Sequence, residues 1–281
     1  FICQPSFKYK EEDQWEGLLT RYSLKADGSI DDPTGTNAAK TIHFHKMLNS
    51  RSSLASDSNG RKIWTVDAGV DNPTSGANKN NNFDPAYITE KGGNMLDDSV
   101  YDLMMGNNDH LNKRDVARIM KYMRGQDMFD SDSDCPATTS AISYTDSCYT
   151  EDKGGSSATL LYKLHDLYNS TPGYVGKPNA STSTDIQNTE SEYRKNNNYE
   201  TFKTDNTNRK NVLLIGSNGG MIHAFDNGCK PQSNSCPVAS NPGTELWAFV
   251  PPSVLKNMQS ILSPQLYTKL DVALTASGTS I

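Results

Sequence analysis

The chain has no apolar run long enough to cross a membrane: none of its 281 residues falls in a stretch approaching the roughly 18–20 unbroken apolar residues a span requires. Phe1 to Lys10 show neither the basic start nor the apolar run of a signal peptide, so if the protein is exported its leader is expected to be already removed. Basic blocks are also missing. Lys and Arg number 27 against 33 Asp and Glu, a net charge of −6, so the phosphate-neutralising surface that dominates nucleic-acid affinity is absent and no nucleic-acid partner is expected. The sequence contains no His-Glu-x-x-His, no Gly-x-Ser-x-Gly and no phosphate loop, and its cysteines never fall in the Cys-x-x-Cys spacing of a zinc site. Charged residues make up only 21% and tryptophans number three.

Neutral polar residues take their place. Asn, Ser and Thr number 26, 30 and 23. They disfavour helix interiors and favour turns and side-chain-to-backbone hydrogen bonds, so strands joined by long polar loops are expected. With 35% hydrophobic residues the chain can still bury a core of ordinary size, and a surface dependent on hydroxyls and amides is common in secreted proteins. Cys135 and Cys148 lie 13 apart and Cys229 and Cys236 lie 7 apart, each pair able to close a short polar loop. Local disulfides in an oxidising compartment are the better reading of these four residues. Cys3 is left over, and two readings stand: a partner in a preceding part of the protein, or a small buried residue.

In Trp15 to Leu24, the residues Leu18, Thr20, Tyr22 and Leu24 share one phase of a period-2 pattern, and Asp27-Gly28 follows, which predicts a strand entering a hairpin. Arg61 to Val66 is a second short strand, flanked by polar loops over 49–60 and 71–82. One helix is expected over Lys113–Arg124. Its apolar residues Val116, Ile119, Met120 and Met123 recur at helical spacing, Asn112 is placed to cap the start and Gly125 to end it. With a companion segment over Leu96 to Met105 this makes a helical insertion, about 95–128, in a strand-rich chain. Asn211 to Gly216, Met221 to Asp226 and Gly243 to Val250 then read as three antiparallel strands in about 40 residues, the size of one propeller blade. The continuous apolar run of the first suggests a strand covered on both faces.

The pattern Gly-x-Asn-Gly-Gly-Met-Ile-His-Ala-Phe-Asp followed by Gly-Thr-Glu-Leu-Trp-Ala-Phe resembles a quinoprotein-type blade, and Val212 to Asp226 with Glu245 to Pro252 closely resembles the propeller domain of the PilC/PilY family of type IV pilus tip proteins. Trp15 to Tyr22, Tyr122 to Gly125 and Leu164 to Gly176 are similar to further segments of that family in the same order. The resemblance implies an all-β fold, a partial β-propeller of four-stranded antiparallel blades with the helical insertion, extending over residues 1–281 as one domain and incomplete at its C-terminal end. It implies structural roles for Trp15, Gly219, Asp226 and Trp247, the last as the indole that docks a blade on its neighbour. The Arg-Gly-Asp tripeptide of some relatives is absent, the chain reading Arg124-Gly125-Gln126-Asp127.

Asp130, Asp132 and Asp134 stand at positions 1, 3 and 5 of a calcium-loop pattern. Position 6 is Cys135 rather than Gly and position 12 is Ala141 rather than Glu, so a solvated acidic loop competes with calcium as the reading. His43 and His45 would share a face if Thr41 to His45 were a strand, which permits a metal without implying one. His223, inside a blade strand, reads as a packed imidazole before it reads as a general base. No catalytic residue is assigned.

A non-enzymatic surface protein is therefore expected, exported to the cell surface, at the pilus tip or outer membrane. It would support pilus assembly and adhesion, with minor pilins and a host or abiotic surface as partners. The alternatives are a quinoprotein-like dehydrogenase using a pyrroloquinoline quinone cofactor and a generic outer-membrane assembly scaffold.

Overall fold

A computed structural model describes residues 1–9, 15–51, 60–65, 83–85, 98–105, 111–126, 128, 163–183, 189–228 and 241–262. These residues form two sheets with helices packed around them, and the sheets do not close into a barrel.

The first sheet has three strands in chain order. β1 (Ile2–Lys8) pairs antiparallel with β2 (Glu16–Tyr22), Cys3 standing opposite Arg21, and β2 pairs antiparallel with β3 (Thr41–His43). The Asp-Gly turn forms beyond β2: Leu24 bridges Ile30, Gly28 takes a φ of 84°, and Asp27 Oδ1 accepts the Ser29 N–H at 2.9 Å. A glycine is required there because a Cβ disfavours positive φ. β3 runs directly into α1 (Phe44–Asn49), whose Phe44 and Leu48 pack on the sheet.

The second sheet has the order β4-β8-β7-β6-β5, with β4 at Ile63–Trp64, β5 at Gly173–Val175, β6 at Val212–Ser217, β7 at Met221–Asp226 and β8 at Glu245–Phe249. β5 to β8 are four antiparallel neighbours, and β4 joins β8 in parallel. Residues 218–220 make the tight β6–β7 turn, with Gly220 at a φ of 79° and its N–H on the Ser217 carbonyl at 3.0 Å.

The two faces of this sheet differ. Leu213, Ile215, Met221, His223, Phe225 and Ala248 are buried on one, whereas Ile222 and Trp247, on the other, are each 37% exposed. The expectation that β6 is covered on both faces is therefore not met among the described residues: its burial alternates residue by residue. The physical reason is that, among the described residues, the core side chains of α1 and β2 and of the helices Asp98–Met105, Lys113–Arg124 and Pro252–Leu255 pack on the first face.

α3 (Lys113–Arg124) begins and ends where its capping residues place it. Asn112 Oδ1 accepts the Asp115 N–H at 2.8 Å, and Gly125, at a φ of 101°, receives the chain with its N–H on the Tyr122 carbonyl at 2.9 Å. With α2 (Asp98–Met105) and α6 (Pro252–Leu255) it builds one core with Ile63, Met221 and Val250. Leu19, Phe44, Leu213 and Phe225 belong to a second core that joins the two sheets, each such side chain contributing about 1.5–3 kcal/mol by burial.

Two polar helices, α4 (Thr189–Asn196) and α5 (Tyr199–Asp205), lie between β5 and β6 and pack mainly on one another. The sequence offers no apolar stripe for them. α4 is supported by its charges: Glu190 and Glu192 in the first turn, Arg194 and Lys195 in the last, and an Arg194–Glu190 pair at 3.2 Å.

Candidate functional site

The chemistry-bearing side chains gather where β6, β7, β8, the segment entering β4 and the end of α3 meet. Arg61, just before β4, is fully buried. Its Nε and Nη2 donate to the two carboxylate oxygens of Glu245 at 2.9 and 3.0 Å, and its Nη1 donates to the Arg124 carbonyl at 3.1 Å. One guanidinium thus neutralises the carboxylate at the start of β8 and caps the last turn of α3, a fork geometry that lysine lacks. Arg124 answers in the reverse direction, its Nη2 donating to the Arg61 carbonyl at 2.7 Å while its Nε pairs with Asp84 at 3.2 Å.

His223 continues the chain of bonds. Its Nδ1 stands 2.9 Å from Glu245 Oε1 and its Nε2 3.0 Å from Ser217 Oγ. Burial would push the Glu245 carboxyl up, but Arg61 and the His223 hydrogen bond outweigh it and hold the carboxyl well below its ordinary value. With Glu245 ionised, Nδ1 donates and Nε2 accepts the serine hydroxyl. Burial lowers the His223 imidazole below its ordinary value against the pull of Glu245, so the ring is neutral. His165 lies close by. Burial first, then the charges of His223 and Arg61, lower it from 6.5 to about 3. Its ring packs directly on Gly219, where a Cβ would come within 2.9 Å of the His165 Cβ and closer still to the ring.

Ser217, His223 and Glu245 follow the hydrogen-bond order of a nucleophile, a base and an orienting acid. Here the imidazole is fully buried and the carboxylate is committed to Arg61. The arrangement acts as a satisfied polar clamp between sheet and helix, in line with the reading of His223 as a packed imidazole.

A second polar knot closes the base of the loop between β7 and β8. Asp226 Oδ1 accepts the Gly228 N–H at 2.9 Å, and its Oδ2 accepts the Asn241 N–H at 3.0 Å and lies 3.5 Å from Lys210 Nζ. The Asn227 carbonyl accepts from Arg21 of β2, which ties this corner to the first sheet. Against β3 and α1 an open groove of about 810 Å³ is lined by Arg21, Thr36, Thr41, His43, Lys46 and small or apolar neighbours.

The residues singled out from sequence are dispersed. Trp15 stacks on Phe7 with ring centres 5.4 Å apart, at the exposed edge of the first sheet. Gly219 and Asp226 sit at the two ends of β7, and Trp247 lies on the open face of the second sheet. His43 and His45 have ring centres 5.7 Å apart, but the strand stops at His43 and His45 is already helical. Each ring is held by protein groups: His43 by Thr20 Oγ1 at 3.2 Å and the Gly35 carbonyl at 3.0 Å, His45 by the Leu19 backbone. Among the described residues no three His, Cys, Asp or Glu side chains converge as a metal site. Asp130, Asp132 and Asp134, and Cys135, Cys148, Cys229 and Cys236, lie outside the described residues. Cys3 is a free, half-buried thiol whose pKa is raised by burial. Arg61, Arg124 and Glu245 were not legible as a site, because a lone Arg or Glu in a strand-bearing segment normally marks a solvated face.

Comparison with known proteins shows a partial similarity. The type IV pilus biogenesis factor PilY1 homolog of Xylella fastidiosa is 34% identical to this chain over 118 residues, 41% of the chain. A partial PilY1-like relationship is what this similarity supports. The match spans 8% of that protein's length. No family model matches the chain, and no solved structure matches it. No described helix is long and apolar enough to cross a membrane.

Proposed function

We propose that the chain is part of an exported, non-enzymatic factor of type IV pilus assembly, which works at the cell surface by presenting loops on a rigid β framework. The similarity to the PilY1 homolog over 118 residues carries this reading, and the match to a small part of that long protein accords with a module inside a larger assembly factor. In this reading β5 to β8 are one blade, and the apolar second face with Ile222 and Trp247 packs against a neighbouring blade. The clamp through Arg61, Glu245 and His223 makes the blade and α3 one stiff unit, while Asp226 anchors the loop that carries Cys229 and Cys236. Disulfides between Cys229 and Cys236 and between Cys135 and Cys148 would keep the displayed loops closed under mechanical load. Minor pilins and a host or abiotic surface are the proposed partners, and calcium at Asp130, Asp132 and Asp134 the proposed ion.

Shearing filaments from the producing cells and probing for this chain tests the proposal. The chain is expected with the pilins at far below their stoichiometry, and cells lacking it are expected to carry fewer pili. Retention in the envelope fraction with normal piliation would overturn the assignment.

A further inference from the structure

A row of four aromatic rings stands exposed at one end of the first sheet, apart from the clamp and the loop anchor. Phe7 and Tyr9 share one face of the β1 segment at period two, and Trp15, which precedes β2 in register with Tyr9, falls on the same face. Tyr168 joins them from the chain beyond the core residue Leu167. In the order Tyr9, Trp15, Phe7, Tyr168 the ring centres are 5.1, 5.4 and 5.8 Å apart, with Phe7 nearly parallel to Trp15 and the two outer contacts edge-on. The four residues are 37–61% exposed. Rings that served only to pin the hairpin would gain more by closing over the core, as Leu19 does from the same face of β2. Phe7, the one ring without a polar tip, sits inside the row. The Trp15 indole N–H and the hydroxyls of Tyr9 and Tyr168 are bonded to no other described group.

Two polar side chains bracket the Tyr168 backbone at the end of the row. Asp166 Oδ1 accepts the Tyr168 N–H at 3.3 Å and the side-chain amide of Asn218, whose nitrogen lies 3.5 Å from the Tyr168 carbonyl. Asp166 Oδ2 and Asn218 Oδ1 are thereby left as acceptors, while the indole N–H donates and the phenol hydroxyls do both. A ligand that answers this set carries groups that donate and accept together with a flat C–H face for the rings, and the pyranose ring of a sugar has both. A polyproline strand offers carbonyls and no N–H, so it leaves the two oxygens unanswered. The rings lie in a line rather than around a hole, which is no cage for an ammonium group. An anionic sugar or lipid surface would meet the Asp166 carboxylate, and Lys8, paired opposite Glu16, alternates to the other face of the hairpin. We propose that this row binds a neutral glycan, with sugar rings stacked on Tyr9, Trp15 and Tyr168 and hydroxyls on Asp166, Asn218 and the polar ring tips. The site belongs to the chain itself and stands whether or not the chain travels with pili.

Calorimetric titration of the full chain with chitohexaose, mannohexaose and xylohexaose tests the site, beside a hyaluronan oligosaccharide, a proline decamer and phosphatidylglycerol vesicles. At least one neutral sugar is expected to bind, with an affinity that salt leaves unchanged, and the other three probes at least tenfold more weakly. Tyr9→Ala and Tyr168→Ala, at the two ends of the row, should each weaken that sugar several-fold, and the double variant at least tenfold. Tyr168→Phe, which keeps the ring, should weaken it less than Tyr168→Ala. Asp166→Asn, which keeps the side chain's shape, should weaken it several-fold. Circular dichroism and the urea midpoint establish that each variant is folded. Binding of no neutral sugar at millimolar concentration, tighter binding of the anionic, proline or vesicle probe, or wild-type affinity in the folded Tyr9→Ala/Tyr168→Ala variant would each overturn the proposal, independently of where sheared filaments place the chain.

Discussion

Acidification should destabilise this protein well before its carboxylates titrate, and His165 supplies a quantity to measure. Its imidazole has an ordinary pKa of 6.5, and burial among His223 and Arg61 lowers it to about 3 in the folded chain. A group depressed in this way binds its proton in the unfolded state first, so below 6.5 each fall in pH favours unfolding, and the loss continues until the folded pKa is reached. At pH 5 the unfolded imidazole is nearly fully protonated and the folded one almost not at all. Integrated from pH 7 to pH 5, this one site removes about 2 kcal/mol of stability. His223 is lowered by the same kind of burial and adds to the loss in the same direction. Glu245, held low by Arg61, loses its contribution only as the pH falls past the ordinary glutamate range, so it stays out of this window. The assay is urea unfolding of the full chain at pH 7, 6 and 5, beside His165→Phe, which keeps a ring over Gly219 and removes the titration. The wild type should lose about 2 kcal/mol more than the variant between pH 7 and 5. Parallel pH profiles would show that His165 is not held neutral by its surroundings, and would refute the argument.

Glu245→Gln leaves the Arg61 guanidinium buried without its countercharge, and urea unfolding should show a loss of about 3–5 kcal/mol, with the double variant Glu245→Gln/Arg61→Met less destabilised than the sum of the two single changes. Gly17→Ala places a Cβ against the His165 carbonyl and the Leu164 carbonyl 2.8 Å away, where the first sheet meets the chain leading to the second. It should lower stability by about 1–3 kcal/mol in thermal unfolding. Gly216→Ala, where a Cβ meets nothing within 4 Å, should change it far less.

Much of the local structure was legible because each signal was short-range. The α3 periodicity, with Asn112 and Gly125 as its ends, needed only neighbours within one turn, and the alternation along β2 with Asp27-Gly28 after it needed only the period of a strand. The β6–β7–β8 meander was legible for the same reason, since glycine turns and apolar runs lie close together. α4 and α5 escaped because their stability comes from charge placement and mutual contact, without an apolar stripe. α1 was not legible, and the strand reading of Thr41 to His45 stayed open, because the entry into α1 carries no glycine or proline to announce it.

By itself, then, the sequence determined α3, β2 with its following turn and the β6–β7–β8 meander, since hydrogen-bonding propensity and apolar period are properties of neighbouring residues. Tertiary structure alone decided that Arg61 finds Glu245 across 184 positions, that His165 seals Gly219, and that Arg21 finds the Asn227 carbonyl across 206. The reason is physical: the worth of a charge depends on what surrounds it after folding. Arg61, which reads as a solvated surface residue along the chain, becomes, once water is removed, a tie between the second sheet and the end of α3.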